Sequence, residues 1–288
     1  MKIAYVINSL SRPESCSDTV KAVRKFDVKH YVFLFVEKQE LKIYRNVLNK
    51  LGTVKVRLIK LPETGKGVGY SRKFSLEYVN YLKYDYIITL DDDVLLLNNP
   101  IPLVKKMIRR NIDLVGFWRS LYDFYLKEVK EEAIRSKDSL VSTICAHVCG
   151  AAIIKVASAI EVGGYDRHCL LNEDDDLNAN LSVHGYKIMI DYNTKYNKFL
   201  IKSEVGGCSI YYKAARSSIN AVNFLNRKYG GNYSYSKKYK DGSTGQVILW
   251  SKVYKNKEIV AKSIDLHNKK YNKHFEINDF TNVTYQIK

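Results

Sequence analysis

The sequence predicts an α/β fold, a mixed and mostly parallel sheet flanked by helices, followed by a basic C-terminal extension. Short runs of β-branched and aromatic residues alternate with stretches of helical spacing over most of the chain. Acidic and glycine-rich segments adjoin several of these elements, as they do at the carboxyl ends of parallel strands. The 288 residues suffice for one large domain or a domain with an appendage. We expect the main domain at residues 1–200 and the extension at 201–288.

The first half of the chain alternates four apolar runs with three segments of helical spacing. The apolar runs predict strands at residues 2–8, 31–36, 54–59 and 86–90. The segments between them predict helices at 17–25, 37–51 and 70–81. Ser17 or Asp18 is the candidate N-cap of the first helix, and Gly52 is placed to end the second.

The second half repeats this alternation less regularly. It predicts helices at 101–110 and 173–184, strands at 113–118, 145–154 and 187–192, and a charged surface helix and loop at 122–139. Gly185 is placed to stop the second of these helices. The glycines and Ser-Tyr repeats at about 230–236 predict an ordered but irregular loop, and residues 259–267 have a helical pattern.

Charge and cysteine usage limit the kind of protein this can be. The net charge of +17 indicates a polyanionic partner, namely nucleic acid, an anionic membrane or a nucleotide-bearing substrate. The five cysteines contain no CxxC pair, and the segment Cys145-Ala146-His147-Val148-Cys149 favours a buried strand with inert thiols over a metal site. The apolar run at 3–7 is too short for a signal peptide and none could span a bilayer, so we expect a cytoplasmic protein, in the host cytoplasm if viral.

Asp91, Asp92 and Asp93 end the fourth predicted strand and form the first candidate site. Because side chains alternate along a strand, Asp91 and Asp93 are expected on one side and Asp92 on the other. Two carboxylates at a strand end can hold Mg²⁺ or Mn²⁺, which prefer oxygen ligands. The alternative is an acidic surface turn.

A glycine-rich loop, Gly65-Lys66-Gly67-Val68-Gly69, precedes the predicted helix at 70–81. A helix start after such a loop offers unpaired N–H groups to an anion. Arg72 and Lys73 lie in the first turn, where the helix dipole disfavours cations, so a negative ligand would compensate them. The alternative is an ordinary strand–helix linker with solvated basic residues.

A second acidic cluster, Glu173-Asp174-Asp175-Asp176, begins the predicted helix at 173–184. Acids in a first helical turn are favourable, so helix capping is one interpretation. Four consecutive acids exceed that need, and crowded like charges raise one another's pKa. A carboxylate with a raised pKa beside a cation site has the character of a general base. With the first cluster, this pattern indicates a metal-held nucleotide diphosphate with a base nearby.

These motifs, in this order, resemble those of GT-A glycosyltransferases of the family 2 type. Asp91-Asp92-Asp93-Val94 is similar to their DxD motif, and Gly69-Tyr70-Ser71-Arg72-Lys73 resembles the helix start before it. Gly163-Gly164-Tyr165-Asp166 and the second acidic cluster resemble their GG-[FY]-D…EDxDL stretch, and the four acids also resemble the EDDD of β-1,4-galactosyltransferases. The resemblance implies a Rossmann-like GT-A fold and an inverting transfer from a UDP-sugar.

The resemblance also implies roles for individual residues. Asp174 would be the base of the displacement and Glu173 would orient the substrate, while Asp93 with Asp91 would bind Mn²⁺ or Mg²⁺. Nucleotide contacts would come from Asn8, Ser9, Arg12, Gly69, Arg72, Asp91 and Asp92. Many relatives supply a metal-binding histidine after this helix, but the next histidines after His184 are His267 and His274. Another group would then complete the metal shell, or the coordination would differ.

The segment from 195 to 240 is the main indication of the acceptor. It carries ten Lys and Arg against one acid, Glu204, with seven interleaved tyrosines. Such residues neutralise phosphates and stack on bases, so double-stranded DNA is the expected partner. We predict DNA contacts at Arg216, Arg227, Lys228, Lys237 and Lys238.

The composition and the Gly-Tyr-Ser-Arg…Asp-Asp-Asp layout are also similar to the glycosyltransferases of T-even-like phages and the TET-associated glycosyltransferases. That resemblance implies transfer to a hydroxymethylated base, such as 5-hydroxymethylcytosine in phage DNA. Three alternatives are a solvated basic face without DNA, a glycosyltransferase for a glycan or protein acceptor, and a non-enzymatic nucleic-acid binder on a degenerate fold.

Overall fold

The fold is described by a computed structural model. It covers residues 1–52, 55–117, 140–142, 150–169, 173–191, 201–203, 225, 227–229, 231–238 and 244–250, with backbone alone for 140–142, 201–203, 231–238 and 244–250. Two compact units are distinguished, Met1–Ser217 and Ser218–Lys288. The predicted surface helix at 122–139, the Cys145–Cys149 segment and the helical pattern at 259–267 lie outside the described residues.

An eight-stranded sheet forms the centre of the first unit. Its strands are β1 (Ile3–Asn8), β2 (Tyr31–Val36), β3 (Val56–Lys60), β4 (Tyr86–Asp91), β6 (Leu114–Phe117), β7 (Leu140–Ser142), β8 (Ala151–Lys155) and β9 (Ile188–Asp191). The order across the sheet is β3-β2-β1-β4-β8-β6-β9-β7. Only β8 and β7 pair antiparallel with their neighbours. This sheet confirms the predicted mixed, mostly parallel α/β architecture.

Helices cover both faces of the sheet. They are α1 (Pro13–Phe26), α2 (Leu41–Lys50), α3 (Val68–Tyr81), α4 (Ile101–Arg109), α5 (Val156–Glu161) and α6 (Glu173–Val183). One buried core joins the sheet to α1, α2 and α4, and a second joins its other face to α3, α5 and α6. Within the described ranges, no helix combines the length and apolarity that a membrane crossing requires.

Several boundaries differ from those predicted. Helix α1 begins at Pro13 rather than 17, because proline suits the first turn of a helix, and the expected cap Ser17 is buried inside it. Helix α3 begins at Val68, two residues early. The expected loop at about 230–236 is instead a strand, β11 (Gly231–Lys238), paired antiparallel with β12 (Thr244–Trp250). A further small sheet pairs β5 (Val94–Leu96) with β10 (Ile201–Ser203).

The chain changes direction across the sheet between β1 and β4. After β1 it passes through α1 on one face to β2, whereas it reaches β4 through α3 on the opposite face. The last residues of these two strands, Asn8 and Asp91, are paired in register. Such a switch point opens a crevice at the carboxyl ends of the strands, where α/β proteins bind ligands. The first acidic cluster lies at this crevice.

Candidate active site

The Asp91–Asp93 segment is anchored to the loop after β1 through its middle residue. The Asp92 carboxylate accepts hydrogen bonds from Ser9 Oγ at 2.6 Å and from Arg12 Nη1 at 3.2 Å. Its backbone carbonyl accepts from two hydroxyls of α1, those of Ser15 at 2.8 Å and Thr19 at 3.0 Å. Burial raises the pKa of Asp92 to about 6, against the opposing effect of Ser9 and Arg12. Asp92 therefore fixes the position of the acidic segment.

The expected alternation of these three side chains is wrong. Strand β4 ends at Asp91, and residues 92 and 93 form a turn before β5, so the two-residue period of a strand does not extend through them. Arg12 Nη1 lies 3.2 Å from the carboxylates of both Asp92 and Asp93. Asp91 contacts an arginine from α3.

That arginine, Arg72, joins the two acidic clusters. Its Nη2 lies 2.6 Å from Asp91 Oδ1 and its Nε lies 2.8 Å from Glu173 Oε1. The Arg72 side chain is 7% exposed, and its guanidinium lies 5.8 Å from the ring centre of Tyr165. Two motifs far apart in the chain therefore meet in one site. Whether Arg72 also contacts a nucleotide stays a prediction.

The second cluster occupies the first turn of α6, as predicted. Glu173, Asp175 and Asp176 are buried, whereas Asp174 is partly exposed. Asp174 Oδ2 accepts a hydrogen bond from the N–H of Gly150 at 3.3 Å. Desolvation, together with the charges of Glu173 and Asp175, raises the pKa of Asp174 to about 8. Of the four acids, Asp174 thus combines access to solvent with the basicity that proton abstraction needs.

The glycine-rich loop has a packing role that the sequence did not suggest. The N–H of Gly69 donates to the carbonyl of Cys169 at 3.0 Å, so this donor of the helix start already has a protein acceptor. A Cβ at position 69 would lie 2.4 Å from the carbonyl oxygens of both Asp166 and Cys169. Glycine allows the loop at 166–169 to pass directly over the first turn of α3. A nucleotide contact by Gly69 remains a prediction.

Replacing Gly69 with alanine should lower the free energy of unfolding by about 1–3 kcal/mol, since two backbone carbonyls must move. Helix propensity alone predicts the opposite sign, a gain of up to about 1 kcal/mol. Urea denaturation distinguishes the two. Gly65→Ala is the control, because its Cβ would meet nothing within 4 Å and only its left-handed backbone would be strained. A Gly69→Ala protein as stable as the wild type would show that the loop at 166–169 shifts without a cost in stability.

The remaining predicted residues fall into two groups. At the end of β1, Asn8 Oδ1 accepts from Ser71 Oγ at 2.7 Å, while Ser9 Oγ lies 2.6 Å from the hydroxyl of Tyr44. In the second unit, Arg227 is exposed and Lys228 Nζ lies 5.4 Å from the ring centre of Tyr229. Arg216 and the side chains of Lys237 and Lys238 lie outside the described residues.

Sequence reasoning missed three residues of the site. Tyr44 lies in the predicted helix at 37–51, Gly150 in the predicted strand at 145–154 and Tyr165 in the Gly163–Asp166 motif, but none of them was a candidate site residue. Each acts through a contact with a residue distant in the chain, and no local pattern announces such contacts.

The donor set at the acidic segment fits a divalent cation in part. Asp91 and Asp93 supply two carboxylates, and Mg²⁺ is commonly held by one or two carboxylates together with substrate phosphates. In the part of the chain that the structure describes, no group of three His, Cys, Asp or Glu side chains is arranged to hold a metal. The phosphates of a nucleotide, or a residue outside the described ranges, would complete the shell.

Comparison with known proteins bears on the family and on the fold. Residues 3–106, less than half of the chain, match the sequence model of the TET-associated glycosyltransferase family. No curated protein sequence matches the chain.

Three solved structures of TarS from S. aureus share the fold. The structure of TarS residues 1–349 aligns at 13% identity with a TM-score of 0.55. The alignment covers 80% of this chain and 72% of the TarS chain. The same fragment in complex with UDP aligns at 12% identity and 0.54. The complex with UDP-GlcNAc aligns at 13% identity and 0.54, with 80% of this chain and 73% of that one covered. At this identity the likeness shows the fold alone. With the family match, it supports a GT-A glycosyltransferase, which confirms the predicted fold and enzyme class.

Proposed function

We propose that this chain is an inverting glycosyltransferase that moves a sugar from a UDP-sugar to a hydroxyl group of a hydroxymethylated base in DNA. The observation that carries the proposal is the buried Arg72 side chain, which contacts Asp91 of the first acidic cluster and Glu173 of the second. The UDP and UDP-GlcNAc complexes of TarS support a UDP-sugar as donor. The match to the TET-associated family supports a modified DNA base as acceptor.

The chain's own side chains have separate tasks in the transfer. The acceptor oxygen attacks the anomeric carbon while the bond from that carbon to the diphosphate breaks, and UDP departs with the electron pair. Asp174 takes the proton of the attacking hydroxyl, a contribution of about 10²–10⁴ in rate. Arg72 keeps Asp91 and Glu173 in place on either side. Mn²⁺ or Mg²⁺, held by Asp93 and Asp91, would supply positive charge for the departing diphosphate.

DNA contact is assigned to the basic segment beyond residue 200. Arg227 is exposed and Lys228 is partly exposed, so both cations can neutralise phosphate, whereas the neighbouring Tyr229 is buried. Arg216, Lys237 and Lys238 are proposed to extend this contact. A solvated basic face is the competing interpretation, and salt dependence separates the two. A protein that makes six to ten phosphate contacts loses about 10³–10⁵ in affinity when salt rises from about 50 to 200 mM.

The test of the proposed function is incubation of the full chain with a panel of UDP-sugars, Mn²⁺ and hydroxymethylated or plain duplex DNA. Nucleoside mass spectrometry should find one added sugar on the hydroxymethylated base, and Asp93→Ala should abolish it. Release of UDP without any change in DNA would favour a glycan or protein acceptor. Neither UDP release nor transfer with any donor would favour the non-enzymatic binder.

The rate of transfer should rise with pH up to about 8. A base must be ionised to accept a proton, and the raised pKa of Asp174 means that most molecules hold it protonated at pH 6. The kcat measured at saturating donor should therefore fall about tenfold for each pH unit below about 7. A kcat that stays constant from about pH 6 to 9 would assign proton abstraction to another group.

A further inference from the structure

The peptide groups of Gly150 lie between the two acidic clusters. The carbonyl of Gly150 accepts a hydrogen bond from the backbone N–H of Asp91 at 2.7 Å, and its own N–H donates to Asp174 Oδ2 at 3.3 Å. One buried residue, just before β8, therefore contacts the end of β4 on one side and the first turn of α6 on the other. The sequence motifs do not include it.

A second connection runs parallel to this one. Arg72 joins the side chains of Asp91 and Glu173 at 2.6 and 2.8 Å, and Glu173 directly precedes Asp174. The contacts form a closed ring: Asp91 to Arg72, to Glu173, to Asp174, to Gly150 and back to Asp91. The ion pairs of Arg72 fix Glu173, which is only the neighbour of Asp174. Gly150, in contrast, contacts the Asp174 carboxylate itself.

We propose that Gly150 is a positioning residue that holds the Asp174 carboxylate in register with the nucleotide-binding end of β4. This inference rests on the proposed function, because it assumes that Asp174 faces the acceptor during sugar transfer. Gly150 touches neither substrate nor reacting atoms, and it acts by aiming Asp174. A base displaced by even about 1 Å loses much of the benefit of orientation.

The backbone of Gly150 explains why a glycine is needed there. Its φ is +71°, in the left-handed region that a residue with a Cβ adopts reluctantly. An alanine at this position would favour rotation of the flanking peptides toward an ordinary φ. That rotation would turn the Gly150 carbonyl away from Asp91 and the Gly150 N–H away from Asp174. Asparagine tolerates the left-handed region better than alanine, so it should preserve more of the ring.

The experiment compares Gly150→Ala with Gly185→Ala in the full chain. Gly185 is the matched control because its φ is also positive, +84°, and a Cβ there would meet nothing within 4 Å. It follows the last turn of α6, away from the acidic first turn. We expect Gly150→Ala to lower kcat about 10–100-fold with little change in the donor KM, whereas Gly185→Ala keeps both within about twofold.

Two further measurements separate aiming from folding. The pH dependence of kcat should shift to higher pH in Gly150→Ala, because the ionised Asp174 loses a hydrogen-bond donor while Glu173, Asp175, Arg72 and Asp91 remain. Gly150→Asn should recover part of the lost kcat. If Gly150→Ala folds and matches Gly185→Ala in kcat and pH profile, the inference is wrong although the proposed function stands.

Other outcomes also decide the matter. If Gly150→Ala does not fold, Gly150→Asn is compared with the wild type: a lower kcat with a pH profile shifted to higher pH would support the positioning role, and a lower kcat with an unshifted pH profile would refute it. If the wild-type chain transfers no sugar from any UDP donor, the proposed function itself fails, whatever the variants show.

Discussion

Replacing Asp174 with asparagine should leave UDP bound and reduce sugar transfer about 10²–10⁴-fold. Asparagine keeps the size of the side chain and can still accept a hydrogen bond from the N–H of Gly150, but it cannot take a proton. The donor side of the site, at Asp91 to Asp93, is unchanged. The loss should therefore appear in kcat with the donor KM nearly constant, as expected when an interaction of the transition state is removed.

UDP binding by calorimetry and transfer by mass spectrometry measure the two halves of this expectation. Asp18→Asn is a suitable control, because Asp18 is an exposed acid paired with Lys21 on the surface of α1. It should change neither quantity. If Asp174→Asn transfers sugar at nearly the wild-type rate, Asp174 is not the base.

Replacing Arg72 with methionine should lower the free energy of unfolding by about 3–5 kcal/mol and abolish transfer. The Glu173 side chain is 6% exposed, so its carboxylate would remain buried without the guanidinium that now compensates it. Asp91 is less affected, since its side chain is 32% exposed and water can reach it. Burial already raises the pKa of Glu173 against the opposing charge of Arg72, so loss of that charge would favour protonation of the carboxylate.

A double variant separates the buried charge from the lost packing. Arg72→Met combined with Glu173→Gln removes both charges, and it should recover much of the stability lost by Arg72→Met alone, without restoring transfer. Lys73→Met is the control, because this neighbouring cation is only 4.0 Å from Glu77 at the surface and should cost less than about 0.5 kcal/mol. Urea denaturation of the wild type, Arg72→Met, Glu173→Gln and the double variant gives the coupling energy. A coupling energy near zero would mean that Arg72 and Glu173 act independently.

The sheet and most helices could be predicted because their signals are local. Buried runs such as 31–36 and 86–90 are short and rich in β-branched and aromatic residues, as strands are, and both are strands with nearly these limits. The acidic start of α6 was likewise visible, since acids favour a first helical turn. The hairpin of β11 and β12 was missed because its serines, glycine and lysines are typical of loops.

The candidate site could be proposed from the composition of the chain, but its contacts could not. The residues Asp91, Asp93 and Asp174 stand out in the sequence because consecutive acids are costly and conspicuous. The orientation of Asp93 was wrong since a turn, not a strand, carries it. The bridging role of Arg72, the close approach at Gly69 and the two hydrogen bonds of Gly150 depend on how distant segments pack. No periodicity along the chain encodes these distances.

The most direct test of the central claim, that both acidic clusters serve a single donor site, is a crystal structure of this protein with UDP and Mn²⁺. The account predicts the diphosphate at the carboxyl ends of β1 and β4, beside Asp91 and Asp93, with Asp174 facing the open position next to it. UDP bound at another edge of the sheet, with the Asp91–Asp93 segment and Asp174 both unengaged, would contradict it.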